Sequence, residues 1–490
     1  MQCLPLDHLT TFGDPDAPAL HVGQARLDYA ALEIMVGRMA RWLRERGFEE
    51  KARVATWEPK TLLTCLMPLA AARAGLVHVP VNAALKPGQL SEILADSGAT
   101  LISSGARLRM IEQEVSADHR VEMLVPLDLR GEGLAPSAQS PGRLAALLYT
   151  SGSTGRPKGV MLSHANLMLG AEAVAAYTKI DDRTRTLALL PLAFDYGQNQ
   201  LLATWRGGGQ VFALDYLLPA DVRKAVVRHE INYLAALPPL WHQLVRLDWS
   251  NGEGASVRTI TNTGGAMTAP LLAALRTAFP RAEAHLMYGL TEAFRAASLD
   301  PRLADRHPTS VGTAIPHAEL MVVRADGTPC DPGEEGELVQ AGPLVAQGYW
   351  NAPELTAAKF RPAPAHSRYG GTAVWSGDRF VRDSEGLLHF RARADRMIKV
   401  SGNRISPDEI VALALEIGGV AEAAVTVRED DAVGAAIDLH IVGEESEEML
   451  RRHFRSHAPS WFMPDRIVRH EMLPRNPNGK IDHRALEKAA

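Results

Sequence analysis

The chain has 490 residues, more than one hydrophobic core usually supports, so its length predicts at least two domains. Hydrophobic residues make up 46% and charged residues 22%, as in ordinary globular proteins, and a net charge of −5 argues against nucleic acid as a partner. The three cysteines are scattered, which fits a reducing compartment, and no Cys/His spacing matches a zinc site. The N-terminus does not follow a signal-peptide pattern, and no apolar run reaches the ~20 residues of a membrane span. The sequence therefore predicts a cytoplasmic protein.

The first hundred residues predict a parallel sheet. Apolar spacing and glycine positions predict, in chain order, a helix within 26–50, a strand over 52–57, a helix over 61–74, a strand over 76–81, a helix over 90–96 and a strand over 100–102. A strand, a helix and a strand within about thirty residues form a βαβ unit, whose strands are parallel and covered on both faces.

Residues 149–159 form a stretch of glycines and hydroxyl-bearing side chains between two apolar segments that are predicted strands. Glycines let a loop turn tightly, and successive backbone N–H groups with Ser and Thr hydroxyls form an anion site. We interpret the stretch as a phosphate loop, with a flexible linker as the competing interpretation. Its candidate ligand-binding residues are Thr150, Ser151, Gly152, Ser153, Thr154, Gly155 and Lys158.

The common phosphate motifs do not explain this loop. In the Walker pattern counted from Gly152, Pro157 occupies the position of the second glycine, and no G-x-G-x-x-G follows a predicted strand. A P-loop kinase and a hydride-transferring Rossmann enzyme are therefore disfavoured.

Further along, strands are predicted at 186–190, 210–214 and 233–237, with a helix at 222–227. Residues 259–266 then change from apolar to glycine at a predicted strand end. Such a change places backbone without side chains against a ligand at the carboxyl edge of a sheet. A simple turn at the strand end is the alternative interpretation.

The last hundred residues predict a small α+β unit. Ser406, Pro407 and Glu409 have the order of a helix start, strands are predicted at 423–427 and 437–442, and a helical stripe runs from Met449 to Ala458. The loop over 474–482 then presents one lysine, Lys480. A solvated side chain is the usual interpretation of such a lysine.

Three motifs together resemble the adenylate-forming superfamily, which comprises acyl- and aryl-CoA synthetases, nonribosomal peptide adenylation domains and luciferase. They are the loop over 149–159, the run Tyr288-Gly289-Leu290-Thr291-Glu292, and the P-x-N-x-x-G-K run that ends at Lys480. The resemblance covers nearly the whole chain in the family's order. It implies an α/β fold with a large N-terminal domain of parallel-rich sheets and helices plus a β-rich subdomain over 1–394. A hinge at Asp395 would join it to a small α+β C-terminal domain over 396–490.

The resemblance also implies site residues and cofactors. ATP would be bound by the phosphate loop, by Gly264, Gly265 and Ala266 against adenine, by Tyr288 and Gly289, and by Asp378 and Arg393 at the ribose. Thr291 would orient the α-phosphate, Glu292 would hold Mg²⁺, Lys480 would bridge carboxylate and phosphoryl oxygens, and Lys399 and Gly402 would line a thiol channel. Ala392 stands where the family usually has glycine before its arginine.

The identity of the acid depends on Phe194 and Asp195. This pair resembles amino-acid adenylation domains and D-alanine–carrier ligases, in which the carboxylate faces the substrate ammonium. The run over 194–201 also looks like exosortase-associated AMP-forming ligases of bacteria. Tyr196, Asn199 and Leu237 would complete the acid pocket. The competing interpretation is local, because Asp195 with Gln198 has the spacing of a helix capping box.

The expected function is that of an AMP-forming acid–thiol ligase. It would convert a carboxylic acid, with amino acids as one candidate class, with ATP into an acyl-adenylate and then into a thioester on CoA or a separate phosphopantetheinyl carrier protein. The alternatives are a stand-alone amino-acid adenylation enzyme, an enzyme that does not use a thiol, such as a luciferase-like one, and a non-catalytic nucleotide-binding paralogue. Retained Lys480 argues against the last of these.

Overall fold

The structure is a computed structural model, and it describes residues 3–115, 119–124, 129–151, 157–265, 267–393, 398–400, 403–405, 407–430, 434–458, 462–477 and 479–489. Up to the phosphate loop, the helices and strands are β1 (Pro18–Val22), β2 (Ala25–Asp28), α1 (Tyr29–Glu45), β3 (Arg53–Thr56), α2 (Leu62–Ala74), β4 (Val77–Pro80), α3 (Pro87–Ser97), β5 (Thr100–Ser103), α4 (Leu108–Glu114), β6 (Val121–Met123) and β7 (Leu144–Ser151).

The middle of the chain alternates strands with helices. Its elements are β8 (Pro157–Ser163), α5 (His164–Tyr177), β9 (Arg185–Ala188), α6 (Asp195–Arg206), β10 (Gln210–Ala213), α7 (Pro219–His229), β11 (Tyr233–Ala236), α8 (Pro238–Leu244), β12 (Thr259–Asn262), α9 (Ala269–Ala278) and β13 (Glu283–Tyr288). A β-rich stretch follows, with β14 (Ala297–Ser298), β15 (Ser310–Ala314), β16 (Glu319–Val323), β17 (Glu335–Ala341), α10 (Pro353–Lys359), β18 (Phe360–Pro362), β19 (Thr372–Arg382) and β20 (Leu388–Arg393).

The C-terminal part is a small α+β unit. It contains β21 (Ile398–Val400), β22 (Asn403–Ile405), α11 (Pro407–Leu415), β23 (Val420–Asp430), β24 (Gly434–Gly443), α12 (Glu447–His457), β25 (Arg466–Arg469) and α13 (His483–Ala489). Ile410, Ile437, Leu439 and Phe454 are among the residues of its own apolar core.

The predicted parallel sheets are present. One sheet has the order β6-β5-β3-β4-β7-β8 and is parallel except for the last pair, in which β8 returns antiparallel to β7. In the larger sheet, β1, β10, β9, β11, β12 and β13 pair in parallel in that order. From β13 the same sheet continues antiparallel through β14, β15, β20, β19, β17 and β16, which form the β-rich subdomain.

Local capping fixes the helices that the sequence predicted. The Asp28 carboxylate accepts from Ala31 N at 2.7 Å at the start of α1. Thr61 and Thr64 form a reciprocal capping box at α2, and Gly75 ends that helix at φ +78°, which glycine adopts without strain. Among the described residues, no helix has the length and apolar character needed to cross a membrane. The predicted α/β fold class is confirmed.

Candidate active site

The predicted phosphate loop connects β7 to β8 at the edge of the six-stranded sheet. These strands are antiparallel, and their register places Thr150 opposite Lys158. The two ends of the predicted phosphate loop are therefore paired across adjacent strands. Gly152, Ser153, Thr154 and Gly155, and the side chain of Ser151, lie outside the described residues.

A lysine, a tyrosine and a glutamate link this hairpin to the 3₁₀ turn Thr291–Ala293. The Lys158 ammonium lies 5.9 Å from the centre of the Tyr349 ring, and the Tyr349 hydroxyl donates to Glu292 Oε1 at 2.6 Å. Burial and the neighbouring Glu292 charge raise the pKa of Tyr349, so its hydroxyl stays protonated as the donor. Thr291 is buried beside this half-buried carboxylate.

Four segments converge at the carboxyl edge of the larger sheet. Phe194 follows β9, Leu237 follows β11, Gly264 follows β12, and Tyr288 ends β13. Because these strands are parallel, their carboxyl ends meet at one edge, where ligands of open α/β sheets bind.

The glycines after β12 leave room at this edge. Gly264 has φ +74°, and a Cβ added there would lie 2.9 Å from Leu237 Cδ2. A Cβ on Gly265 would lie 3.0 Å from Pro238 Cγ. Side chains at either position would therefore crowd the edge, as expected for backbone that faces a ligand. Ala266 lies outside the described residues.

Asp378 lies across the β19–β20 pair from Arg393. Arg393 Nε donates to Asp378 Oδ1 at 3.0 Å, and the Tyr288 hydroxyl donates to Oδ2 of the same carboxylate. Burial and the charge of Asp378 raise the pKa of Tyr288 far above its ordinary value, which keeps the phenol protonated. The carboxylate is buried and held by two donors, and each oxygen retains a lone pair for a further donor. Buried Ala392 does not disturb this pairing.

Lys480 stands on a tight loop of the C-terminal unit. Lys480 N donates to Asn476 Oδ1 at 3.0 Å, and Asn476 N donates to the Lys480 carbonyl at 2.7 Å. Arg475 Nη2 pairs with Glu422 on β23, which fixes the loop to the C-terminal sheet. The loop contacts the large domain through Asn82 Nδ2, which donates to the Pro477 carbonyl at 2.8 Å.

The Lys480 side chain enters the cleft at the carboxyl edge. Its Nζ lies 5.4 Å from the centre of the Phe194 ring, and its Cε lies 3.9 Å from a Cβ built on Gly264. Desolvation lowers its pKa, Asp195 raises it, Arg393 lowers it, and Glu292 and Asp378 raise it. Part of the residue is exposed, whereas protein atoms crowd its ammonium enough to lower the pKa. The structure thus brings Lys480 together with the predicted magnesium, ribose and acid residues.

The predicted acid-pocket residues also meet. Asp195 and Tyr196 begin α6, Asn199 lies one turn later, and all three are buried. Tyr196 shares an apolar cluster with Leu237, and Phe194 packs against it. The Tyr196 hydroxyl bonds to the carbonyl oxygen of Thr261 on β12 at 2.7 Å. The capping-box interpretation of Asp195 and Gln198 is wrong. Phe194 is the N-cap residue of α6, its carbonyl accepts from Gln198 N at 2.8 Å, and Asp195 is the first helical residue.

Sequence reasoning missed the residue that balances Asp195. Arg295 is 3% exposed, its Nη2 lies 4.0 Å from Asp195 Oδ2, and its guanidinium carbon lies 4.8 Å from the centre of the Tyr196 ring. The signal was a single arginine inside the apolar run Ala293-Phe294-Arg295-Ala296-Ala297. Asn82 and Tyr349 were also missed, and no local pattern distinguishes them.

The remaining predicted residues stay predictions. Asp395, the proposed hinge, and Gly402, in the proposed thiol channel, lie outside the described residues. Lys399 is described only as backbone within β21.

Comparison with known proteins agrees with this geometry. The sequence profile of the AMP-binding enzyme family matches residues 11–350. The chain is 31% identical to the probable non-canonical nonribosomal peptide synthetase CymA of Salinispora arenicola over 97% of its own length. It spans 6–13% of the lengths of CymA and of tyrocidine synthases 3 and 2 of Brevibacillus parabrevis.

A similar fold occurs in the ATP-bound MatB of Rhodopseudomonas palustris. The TM-score is 0.88 at 24% identity, with 99% of each chain covered. The o-succinylbenzoate CoA synthetase MenE of Bacillus subtilis, in complex with ATP and magnesium, matches with a TM-score of 0.83 at 24% identity, covering 99% of each chain. The family match extends over more than half of the chain. It includes Thr150, Lys158, Thr291, Glu292 and Tyr349 of the candidate site. The chain therefore belongs to the AMP-binding enzyme family of the adenylate-forming superfamily.

Proposed function

We propose that this chain is an AMP-forming acid–thiol ligase. The supporting observation is that Lys480, on the C-terminal unit, reaches a cleft of the large domain that also holds Glu292, Asp378 and Asp195. In the first step, a carboxylate oxygen attacks the α-phosphorus of ATP. The bond to the bridging oxygen breaks, and pyrophosphate leaves with the electron pair.

The chemistry requires fixed positive charge more than a general base. Both reactants are anions, and negative charge grows on the phosphoryl oxygens in the transition state. Lys480 supplies a compact ammonium that can bridge the carboxylate and the α-phosphate, while the loop from Thr150 to Lys158 holds the leaving phosphates. Thr291 offers a hydroxyl to the α-phosphate beside them.

The residues at Glu292 fit a magnesium ion. Mg²⁺ prefers carboxylate oxygens, and the Tyr349 hydroxyl engages only one oxygen of Glu292. When bound, the ion would offset phosphate charge. Glu292 would hold it, and Tyr349 would keep the carboxylate oriented.

The nucleoside would lie between Tyr288, Gly264 and Gly265, and its ribose hydroxyls would donate to Asp378. In the second step, a pantetheine thiolate attacks the acyl carbon of the adenylate and the bond to AMP breaks. The thiol belongs to CoA or to a separate carrier protein. We propose that the C-terminal domain turns about Asp395 between the steps, which withdraws Lys480 and brings Lys399 and Gly402 to a thiol channel.

The test is ATP–pyrophosphate exchange with a panel of amino acids and plain carboxylic acids, followed by addition of CoA or a pantetheinylated carrier. Exchange followed by thiol-dependent AMP release is the expected result. Exchange without thiol-dependent release would indicate an enzyme that stops at the adenylate, and oxygen consumption would indicate luciferase-like chemistry. ATP binding without exchange for any acid would overturn the proposal.

A further inference from the structure

Arg295 is a buried cation whose best hydrogen-bonding edge is unused. Nε and Nη2 are both buried and have no hydrogen-bond partner among the described residues. A hydrogen bond holds the backbone of this residue in place, since Gln340 Nε2 donates to the Arg295 carbonyl at 2.7 Å. Phe294 and Arg295 both have positive φ, at 41° and 115°. Positive φ at two successive non-glycine residues costs free energy and is typical of functional sites.

The free edge has a definite chemical preference. Nε and Nη2 form a planar pair of donors that matches the two oxygens of a carboxylate. The same chain shows this geometry elsewhere, where Nε and Nη2 of Arg428 donate to the two oxygens of Asp438 at 2.7 and 2.9 Å. An unpaired guanidinium edge at 3% exposure is costly to bury, so the site is suited to a guest that carries a carboxylate.

Asp195 is the second charged group beside this edge. Its nearest described cation is Arg295, whose Nη2 at 4.0 Å is beyond hydrogen-bond length, and it caps no helix N–H. A buried carboxylate in this position can accept from a substrate ammonium. Asp195 and Arg295 therefore offer complementary contacts for one ligand that bears both charges.

The charges of the pocket select among ligands. Glu292, Asp378 and Arg393 are assigned to magnesium and ribose, which leaves Lys480, Arg295 and Asp195 around the acid. These three groups sum to +1, so an acid with net charge −1 gives neutrality among them. A plain monocarboxylic acid has that charge but gives neither Asp195 nor the Arg295 edge a hydrogen-bond partner. A neutral amino acid leaves Arg295 unpaired and the site positive, and a plain dicarboxylic acid leaves Asp195 unpaired and the site negative.

We propose that the acid is an acidic α-amino acid of the aspartate or glutamate type. Its ammonium pairs with Asp195, its side-chain carboxylate pairs with Arg295, and its reacting carboxylate lies toward Lys480. This inference rests on the proposed adenylation and names the substrate of that same site.

The cavity beside Arg295 is small. Lined by Arg295, Asn199, Tyr233 and Met287, it has a volume of about 10 Å³, roughly the space of one water molecule. Neighbouring side chains would have to move to admit a short side-chain carboxylate, and many more of them to admit a long acyl chain. Asn199 Oδ1 also lacks a described hydrogen-bond partner and can accept from a substrate donor.

The test separates the two charges by substrate. ATP–pyrophosphate exchange is measured with glutamate, which has both groups, with glutarate, which lacks the ammonium, with norvaline, which lacks the second carboxylate, and with valerate, which lacks both. Aspartate, succinate, 2-aminobutyrate and butyrate form the shorter series. The expected result is that kcat/KM for the amino diacid of one series exceeds that of each analogue by roughly 10²-fold or more, because each analogue leaves a buried charge unpaired. The inference would be overturned if, in both series, at least one analogue supported exchange as fast as the amino diacid or faster.

Two variants test the residues one at a time. Arg295→Gln should reduce the preference for glutamate over norvaline by roughly 10²-fold. Asp195→Asn should reduce the preference for glutamate over glutarate by roughly 10²-fold. Each variant should leave the KM for ATP within about threefold. Arg302→Gln, at an exposed arginine outside the cleft, is the matched control.

The outcomes distinguish this inference from the function on which it rests. Exchange with other acids and not with acidic amino acids would overturn the inference alone. No exchange with any acid of the wider panel would overturn the ligase proposal and the inference with it. If Arg295→Gln does not fold, shown by loss of a cooperative thermal transition, Arg295→Lys replaces it. Lysine keeps the charge but lacks the planar fork, so an unchanged preference for glutamate over norvaline would count against the proposal.

Discussion

At the scale of single residues, Lys480 is the side chain on which acid activation should depend most. We expect Lys480→Ala to reduce adenylation by roughly 10²–10³-fold, the usual cost of losing one preorganised stabiliser of transition-state charge. Thiolation of a chemically prepared adenylate should be largely preserved, because Lys480 acts on the phosphoryl step. The measurement is pyrophosphate exchange beside AMP release from the prepared adenylate. Equal loss of both half-reactions would contradict the assignment.

The same ammonium predicts a pH dependence. Crowding by protein lowers the pKa of Lys480, although Asp195 partly offsets the effect. Only the protonated form can bridge two anions, so exchange should decline on the alkaline side at a lower pH than an ordinary lysine, of pKa about 10.4, would give. The pH profile of kcat/KM for the acid measures this. The Lys480→Arg side chain stays charged throughout, so any activity of this variant should lack the alkaline decline. A decline shared by the variant and the unsubstituted protein would show that another group causes it.

Residue types and spacing predicted residues that the structure brings together at the cleft, such as Tyr288, Asp378 and Lys480, but they did not identify the partner of Asp195. The D-x-x-Q spacing is compatible with two helix registers that differ by one residue. The turn from Pro191 makes Phe194 the N-cap, so the Asp195 side chain is free to face Arg295, a hundred positions later. A local pattern carries no information about such a distant partner.

At the scale of elements, the loop that carries Lys480 is held to the large domain by Asn82. Its Nδ2 donates to the Pro477 carbonyl, while its Oδ1 accepts from Ala84 N at 2.9 Å. Asn82→Asp keeps the acceptor for the local turn and removes the donor to the loop. One hydrogen bond is worth about 0.5–1.5 kcal/mol, so we expect the exchange rate to fall about two- to tenfold.

The control for this prediction is thiolation of the prepared adenylate by Asn82→Asp. It should be unchanged or faster, since the loop must leave the cleft for that step. A parallel decrease in both half-reactions would show that Asn82 supports the fold and not the docking of the loop.

The elements themselves were largely predictable. Apolar periodicity and glycine positions located α1 and α2 to within a few residues, an apolar stripe located α12, and apolar runs located β7 and β11, because these segments follow local rules. The short antiparallel crossing from β13 through β14 to β15 was not predicted, since β14 has only two residues and its pairing depends on distant partners.

At the scale of the whole molecule, buried histidines should make the fold sensitive to mild acid. Burial lowers the pKa of His78 to about 3, and the pKa values of His164 and His285 to about 4. The unfolded chain takes up protons below about pH 6.5, while the folded chain resists them until about pH 4. The stabilisation is therefore present above pH 6.5 and is lost as the pH falls toward 4.

Urea unfolding at several pH values between 8 and 4.5 measures this effect. His285→Gln should lessen the slope of unfolding free energy against pH in that window by up to about 1.4 kcal/mol per pH unit, the value for one proton. Between pH 7 and 8 the unsubstituted protein and His285→Gln should show nearly equal slopes. An unchanged slope at low pH would show that His285 is protonated within the fold.

The contact of Leu237 with two glycines has a pharmacological consequence. Its two methyl groups face Gly264 of the large domain and Gly479 beside Lys480, at 2.9 and 3.3 Å from Cβ positions built on those glycines. A small apolar compound bound between Leu237 and these glycines would keep the loop that carries Lys480 out of the cleft. It would need no likeness to nucleotide or acid, so we expect its inhibition to persist at saturating concentrations of both.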